Sequence, residues 1–446
     1  MPLRYGLDSA KETQDRYLLC GLRRPVSAAT FPALRPPPGR ADTSGNTPRF
    51  VEEDPLSTIP VMRPWLGAEE AEAAAETIRS GWVAQGPRVA EFETAVAGLV
   101  GAEHGVALSS CTTALHLALV VLGIGPGDEV VVPSLSFIAT ANAVRYVGAT
   151  PVFADVDLAT GNLNAKTVEQ VIGPATRAAI VVHQGGVPAP VGELRTLAES
   201  FGIALVEDAA CALGSTVDGV PVGQGAELAA FSFHPRKVIT TGEGGMLTTD
   251  NADWAARARR LREHGMNVSA ADRHQAGKLV LEQYLETGYN YRMTDVQAAI
   301  GLVQLTRLDA MVARRRELAR RYQELLRDVP GLQTVGDPPW GTTNYQSFWV
   351  LLPDDFPVSR NELLERLLAA GVSARRGIMA SHLEPAYAYS PARGNAPGAG
   401  SGGTWRSAEL PETERLTGRS LILPLFHDLA QADQDRVVEV VREAAR

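Results

Sequence analysis

FSFHPRKVITTGEGG, residues 231–245, is the stretch on which the reading of this chain turns. AAFSFH (229–234) alternates as a strand does. A single lysine, Lys237, follows it, and Gly242, Gly244 and Gly245 come just after. A lysine at a strand end, beside backbone that lacks Cβ atoms, can reach into a crevice where chain and ligand lie close together. Burial lowers the pKa of such an amine and frees a nucleophile, as a Schiff base with an aldehyde requires. The competing reading is a surface lysine in a turn.

Working outward, short continuously apolar runs alternate with helical ones. Strands are expected in EVVVP after the turn GPGD (125–128), in TPVFADVD (150–157), in AAIVVHQGG (178–186) and in IALVEDAA (203–210). Between and before them, AEEAEAAAETIRS (68–80, ending at the cap residue Gly81), SSCTTALHLALVVLGI (109–124), SFIATANAVRYVG (136–148) and VGELRTLAESFG (191–202) read as helices. This is the pattern of a parallel sheet covered on both faces. Ligands of such sheets sit at the carboxyl ends of the strands, where Ser134, His183, Asp208 and the Ser232–Lys237 segment fall. Residues 294–329 read as one long helix leading into a second domain, and 342–446 mix strands and helices.

Composition narrows the class. The 446 residues are 45% hydrophobic and 21% charged, with a net charge of −9, which argues against nucleic acid as the main partner. Cys20, Cys111 and Cys211 are odd in number and far apart; they suit a reducing cytoplasm better than a disulfide framework. No apolar run approaches the roughly 18 residues that a membrane span needs. The eight histidines show no HxH or HxxxH spacing, so no metal site is expected. Residues 1–50 carry seven prolines and an excess of basic side chains; they read as a mobile Pro/Arg-rich extension. A second Gly/Pro/Ser-rich loop covers 390–404.

The chemistry sharpens when features are combined. Asp208, ending the apolar run of VEDAACALGS (206–215), is costly to bury unless it meets a cation or caps a helix. A protonated pyridine nitrogen is such a cation, and a ring kept cationic is the electron sink of pyridoxal chemistry. Small polar residues opening the helix at SSCTTALH (109–116) offer free N–H groups to a phosphate, and Ser232 can add a hydroxyl. Phe137 can lie flat on an aromatic ring or belong to the core.

SSCTTALHLAL, PSLSFIATANAVRYVGATPVFADVD, VEDAACALGS, SFHPRKVITTGEGG and GYNYRMTDVQAAIGLVQL together resemble the signature blocks of the DegT/DnrJ/StrS family, pyridoxal-phosphate-dependent sugar aminotransferases. SGWVAQGPRVAEFE (80–93) and SARRGIMASHLEPAY (373–387) are similar to its opening and C-terminal segments. The resemblance implies an α/β fold, the PLP-dependent transferase fold type I. A large domain, 51–305, would hold a mainly parallel seven-stranded sheet between helices, and a smaller α+β domain would follow over 306–446. It implies that Lys237 anchors the cofactor aldehyde and shuttles a proton, that Asp208 pairs with the pyridine nitrogen and that Phe137 stacks on the ring. Thr112, Thr113 and Ser232 would hold the phosphate. Arg292 would reach the phosphate of a neighbouring subunit, making a homodimer with shared sites. At 211, where relatives often carry Gln or His near the cofactor's 3-oxygen, this chain has Cys211, a weak donor. His183 and His382 would face the substrate. The implied activity is a cytoplasmic transaminase of amino-sugar biosynthesis that moves an amino group from L-glutamate to a nucleotide-linked keto-deoxysugar. A cyclitol or other non-sugar ketone is the alternative acceptor. A same-fold sugar dehydratase would carry His in place of Lys237, and a non-catalytic cofactor-binding sensor would not need Lys237 and Asp208 together.

Overall fold

The computed structural model describes residues 58–269, 273, 279–387 and 405–446. The extension over 1–50, Cys20 and the 390–404 loop lie outside the described residues.

Seven strands make the body of the main sheet: β1 (His104–Leu108), β2 (Glu129–Pro133), β3 (Thr150–Ala154), β4 (Thr176–Val182), β5 (Ala204–Asp208), β6 (Leu228–Ser232) and β7 (Gly245–Thr249). An eighth, the two-residue strand Arg406–Ser407, adds a parallel edge beside β3, and the order is β1-β7-β6-β5-β4-β2-β3 followed by that edge. All neighbours run parallel except β7, which is antiparallel to both β1 and β6. The sheet is apolar on both faces because both faces are covered. Val130 and Val132 point into one buried cluster with Leu115, Leu117 and Leu119 of the helix Cys111–Val121; Val131, between them, belongs to the cluster on the other side. Each such side chain removed from water stabilises the fold by roughly 1.5–3 kcal/mol.

A second, four-stranded antiparallel sheet is built from Gln333–Thr334, Phe348–Leu351, Ser420–Leu423 and Arg375–Arg376. The helices Leu308–Leu326, Arg360–Ala369 and Gln431–Ala444 belong to the same part of the chain. The long helix expected over 294–329 is in fact two, Asp295–Leu305 and Leu308–Leu326. The break has a local cause. Thr306 turns its hydroxyl back onto the Val303 carbonyl (2.7 Å), and the Arg307 guanidinium is drawn to Glu70 (2.7 Å) and Glu69 (2.5 Å) of the helix Ala68–Ser80.

The edge strand is fastened at its start. The Arg406 guanidinium grips Glu129 through both oxygens (2.9 and 2.7 Å), and Trp405 Nε1 donates to the Tyr387 carbonyl (2.6 Å). The other end of the sheet is organised by one carboxylate. Asp295 is 1% exposed and accepts from the backbone N–H groups of Gly86 (2.7 Å), Val89 (3.0 Å) and Arg88 (3.1 Å), the first turn of the helix Pro87–Val100. It thus caps a helix that is distant in sequence. Replacing Asp295 with Ala leaves those buried donors without a partner. The expected loss is about 2–4 kcal/mol, read as a lower midpoint in denaturant unfolding, with Asp295→Asn intermediate.

Candidate active site

A cavity of about 320 Å³ opens at the carboxyl ends of β4, β5 and β6, within the size range of small-molecule sites. Its wall includes Asp208, Cys211, Ser232 and Lys237 together with Thr112 and Phe137. Asp208 is the last residue of the central strand β5 and is 5% exposed. Thr140 donates to its Oδ2 (2.8 Å), and the Ala210 N–H to its Oδ1 (3.2 Å); the Cys111 thiol lies 3.9 Å from Oδ1. Thr140 is itself joined to Ser136 (2.8 Å), one turn earlier. Burial pushes the Asp208 carboxyl above its ordinary value, and these donors and Lys237 offset only part of that.

Lys237 is placed by the antiparallel connection from β6 to β7. Ser232 and Gly245 face each other across the ladder, and the Phe233 N–H donates to the Gly244 carbonyl (2.9 Å). Beyond them the chain makes a closed turn: the Thr241 N–H and the Thr240 hydroxyl return to the Phe233 carbonyl (3.0 and 2.8 Å), and the Lys237 N–H donates to the His234 carbonyl (2.8 Å). The Lys237 side chain ends with Nζ 3.0 Å from Cys211 Sγ. Burial pulls its ammonium down, but the sulfurs of Cys211 and Cys111 and the Asp208 carboxylate outweigh burial and hold it above the ordinary lysine value. Gly244 and Gly245 pack against protein. A Cβ on Gly245 would collide with the backbone of Ser110 and Cys111, so β7 can press on the start of the helix Cys111–Val121 only as glycine. Gly242 supplies a left-handed turn (φ 83°).

That helix start forms another wall. Ser110 caps it by accepting from the Thr113 N–H (3.2 Å), and Ser110, Cys111 and Thr112 line the cavity. Uncapped N–H groups there suit an anion. Thr113 is placed differently: its hydroxyl donates to the Ser110 carbonyl (2.7 Å) within the cap, and it is not part of the cavity wall. The two histidines are also placed elsewhere. His183 is fully buried, accepting from the Ala189 N–H at Nδ1 (3.0 Å) and facing Glu207 at Nε2 (3.3 Å). The cause is the strand period: Glu207 and Asp208 point to opposite faces of β5, and His183 sits with Glu207, which Arg195 also binds (2.6 Å). Burial raises the Glu207 carboxyl, but His183 and Arg195 prevail and bring it below the ordinary range. His382 bonds Ser134 (2.6 Å) and approaches Glu414 (3.5 Å), away from the cavity wall. Arg292 is half-buried and makes no hydrogen bond or ion pair to the described residues.

Several lining residues went unseen in the sequence. Thr140 had a signal, its four-residue spacing from Ser136. Gln184 follows β4, is 4% exposed and bonds the Leu135 carbonyl. Arg236, Gln346, Ser347 and Arg375 meet only through the tertiary fold, with Gln346 donating to the Arg236 carbonyl (2.8 Å). Neither guanidinium has an acidic partner among the described residues, so this end of the cavity is cationic.

The family model of the DegT/DnrJ/EryC1/StrS aminotransferases matches residues 64–442. Among solved structures, the aminotransferase TlmJ from Streptoalloteichus hindustanus is 37% identical, with a TM-score of 0.77 over 86% of this chain and 98% of its own. DesI, solved in the presence of its TDP-sugar product, is 34% identical, with a TM-score of 0.76 over 87% and 94%. Spr1654 from Streptococcus pneumoniae, known in a PLP form and a PMP form, is 26% identical in the former, with a TM-score of 0.77 over 87% and 98%. The residues of the cavity fit pyridoxal phosphate. An amine with only a sulfur beside it, a buried carboxylate short of a cation and a helix start with open N–H groups are the donor set that an aldehyde, a pyridinium and a phosphate ask for.

The raised carboxyl of Asp208 has a sign that can be tested. Its folded-state pKa lies above the unfolded one, so ionised Asp208 subtracts stability from the cofactor-free protein at neutral pH, and the deficit shrinks only once pH falls through the raised value, closing below the ordinary carboxylate value. Cofactor-free Asp208→Asn is therefore expected to melt no lower than wild type at pH 7, with its advantage shrinking in acid, while losing transaminase activity. Thermal unfolding across pH, beside a half-reaction assay, reads both.

Proposed function

Because this chain belongs to the DegT/DnrJ/EryC1/StrS aminotransferase family, we propose that it transfers an amino group from L-glutamate to a keto-deoxysugar carried on a nucleotide. It is a pyridoxal-phosphate-dependent aminotransferase of the sugar-aminotransferase family. The observation that carries the finer reading is the joint placement in one cavity of Lys237, Asp208 and two arginines, Arg236 and Arg375, that have no acidic partner among the described residues. The TDP-sugar product of DesI supports the same class of acceptor.

The cofactor, when bound, supplies an aldehyde that exchanges between amines and a ring that accepts the electron pair released at the donor carbon. This chain's residues do the rest. Asp208 keeps a positive charge on the ring nitrogen, and Thr140 keeps the Asp208 carboxylate turned toward it. Thr112, Ser232 and the helix N–H groups would hold the phosphate, and Phe137, 63% exposed and lining the cavity, would cover the ring face. Lys237 Nζ, free of the cofactor, would take the proton from the donor carbon and deliver it to the cofactor carbon that takes up the nitrogen. Arg236 and Arg375 receive the anionic parts of the substrates, the donor carboxylate or the sugar diphosphate. We assign Arg292 to the phosphate site of a second copy, which makes the working unit a homodimer. No helix among the described residues is long and apolar enough to cross a membrane.

Borohydride treatment of the cofactor-supplied protein should fix the cofactor on Lys237, found by peptide mass. Labelling elsewhere, or none, defeats the assignment. Lys237→Ala should lower transamination by at least ~10²–10⁴-fold, the usual worth of a positioned proton carrier. Protein loaded with pyridoxamine phosphate, offered nucleotide keto-sugars and cyclitol ketones in parallel, should recover the absorbance of the lysine-bound form with the nucleotide sugars. Recovery with cyclitols alone would transfer the acceptor to that class.

A further inference from the structure

Two cysteines flank the site, and their surroundings differ. Cys111 is buried against Asp208, and burial followed by that negative charge pushes its thiol well above the ordinary value. Such a thiol is inert. Cys211 is half-buried, lines the open cavity and has the Lys237 Nζ 3.0 Å from its sulfur. That places a cavity-facing sulfur, open to a small oxidant, within bonding reach of an amine nitrogen. The transamination reading gives Cys211 at most a weak donor's contact with the cofactor.

We infer that Cys211 and Lys237 form a peroxide-sensitive pair, which closes into a covalent N–S link whenever the lysine is not carrying cofactor. The oxidant is hydrogen peroxide. The Cys211 thiolate attacks one peroxide oxygen; an S–O bond forms, the O–O bond breaks, and the departing hydroxide takes a proton from the Lys237 ammonium to leave as water. That proton transfer leaves a neutral amine beside the new sulfenic acid. The Nζ lone pair then attacks sulfur; the N–S bond forms, the S–O bond breaks, and hydroxide leaves with the second nitrogen proton as water. In sum, one thiol, one amine and one peroxide give a sulfenamide and two waters, sulfur having lost two electrons to the peroxide. Condensation of a sulfenic acid with nitrogen is a known step of cysteine oxidation. Thiols reverse it, cleaving N–S to return the amine and leave a mixed disulfide that a second thiol resolves. The consequence is a reversible block on the amine that must receive the cofactor. It falls on the cofactor-free protein and on the aminated form, in which Lys237 is released, and spares the protein whose lysine is occupied. This state dependence rests on the reading of Lys237 as the cofactor anchor; the link itself does not.

The test treats full-length cofactor-free protein with hydrogen peroxide, removes the peroxide, denatures the protein in N-ethylmaleimide to block remaining thiols, digests it and maps the peptides by mass spectrometry. The expected product joins the peptides of Cys211 and Lys237 at a mass about 2 Da below their sum, as loss of two hydrogens requires, with Cys111 alkylated normally and the link lost on adding dithiothreitol. Lys237→Arg should give no link but a sulfenic acid on Cys211 that dimedone captures. A Cys111–Cys211 disulfide, a Cys211 sulfinic acid without any link, or an untouched Cys211 overturns the inference; because these outcomes are read in wild-type protein, misfolding of a variant cannot obscure them. In a second arm, protein preloaded with pyridoxal phosphate should link more slowly than protein preloaded with pyridoxamine phosphate. Equal rates in that arm, with the link present, would count against the anchoring role of Lys237 and leave the pair chemistry standing.

Discussion

A carboxylate with nowhere to put its charge governs this protein. Asp208 ends the central strand of an eight-stranded sheet, nearly sealed from water, with one hydroxyl, one backbone N–H and a weak thiol in contact and the Lys237 ammonium offsetting only part of the cost of burial. Isolated charges in such surroundings cost several kcal/mol even after the protein relaxes. The site is therefore half of an ion pair, held open by the fold for a cationic ring. The parallel order β6-β5-β4 brings the ends of three strands to the same rim, the helix Cys111–Val121 closes one side, and the return from β6 to β7 sets a lysine opposite. Remove the need to present Asp208 and most of these placements lose their reason.

Much of this was legible in the sequence because it is written locally. Continuous apolar runs such as EVVVP and ALVED mark strands with both faces covered, and the polar residue ending each run marks the rim. Lys237, Asp208, Thr112, Ser232, Phe137 and Cys211 all sit at or just beyond such ends, and the structure gathers them around one cavity. The family blocks were equally local, and the match over 64–442 agrees with them.

What escaped was decided by direction or by distance. His183 also follows a strand, yet one residue of alternation separates Glu207 from Asp208, and the imidazole joined the carboxylate on the far face. Thr113 was drawn into the cap of its own helix, a use that the spacing Ser110–Thr113 foretells in hindsight. Gly245 answers to the backbone of Ser110, which no inspection of its own neighbourhood reveals. Arg236 and Arg375 converge from segments 139 positions apart. The helix broken at Thr306 depends on Glu69 and Glu70, far upstream.

The fastening of Trp405 to Tyr387 and of Arg406 to Glu129 ties chain positions 387 and 405 together at the sheet edge. With both stems tied, the entropy of closing the intervening chain rises only slowly with its length. The position is thus a natural splice point, where lineages can lengthen, trim or replace a segment, and engineers can graft a tag or a sensor, without reworking the catalytic rim.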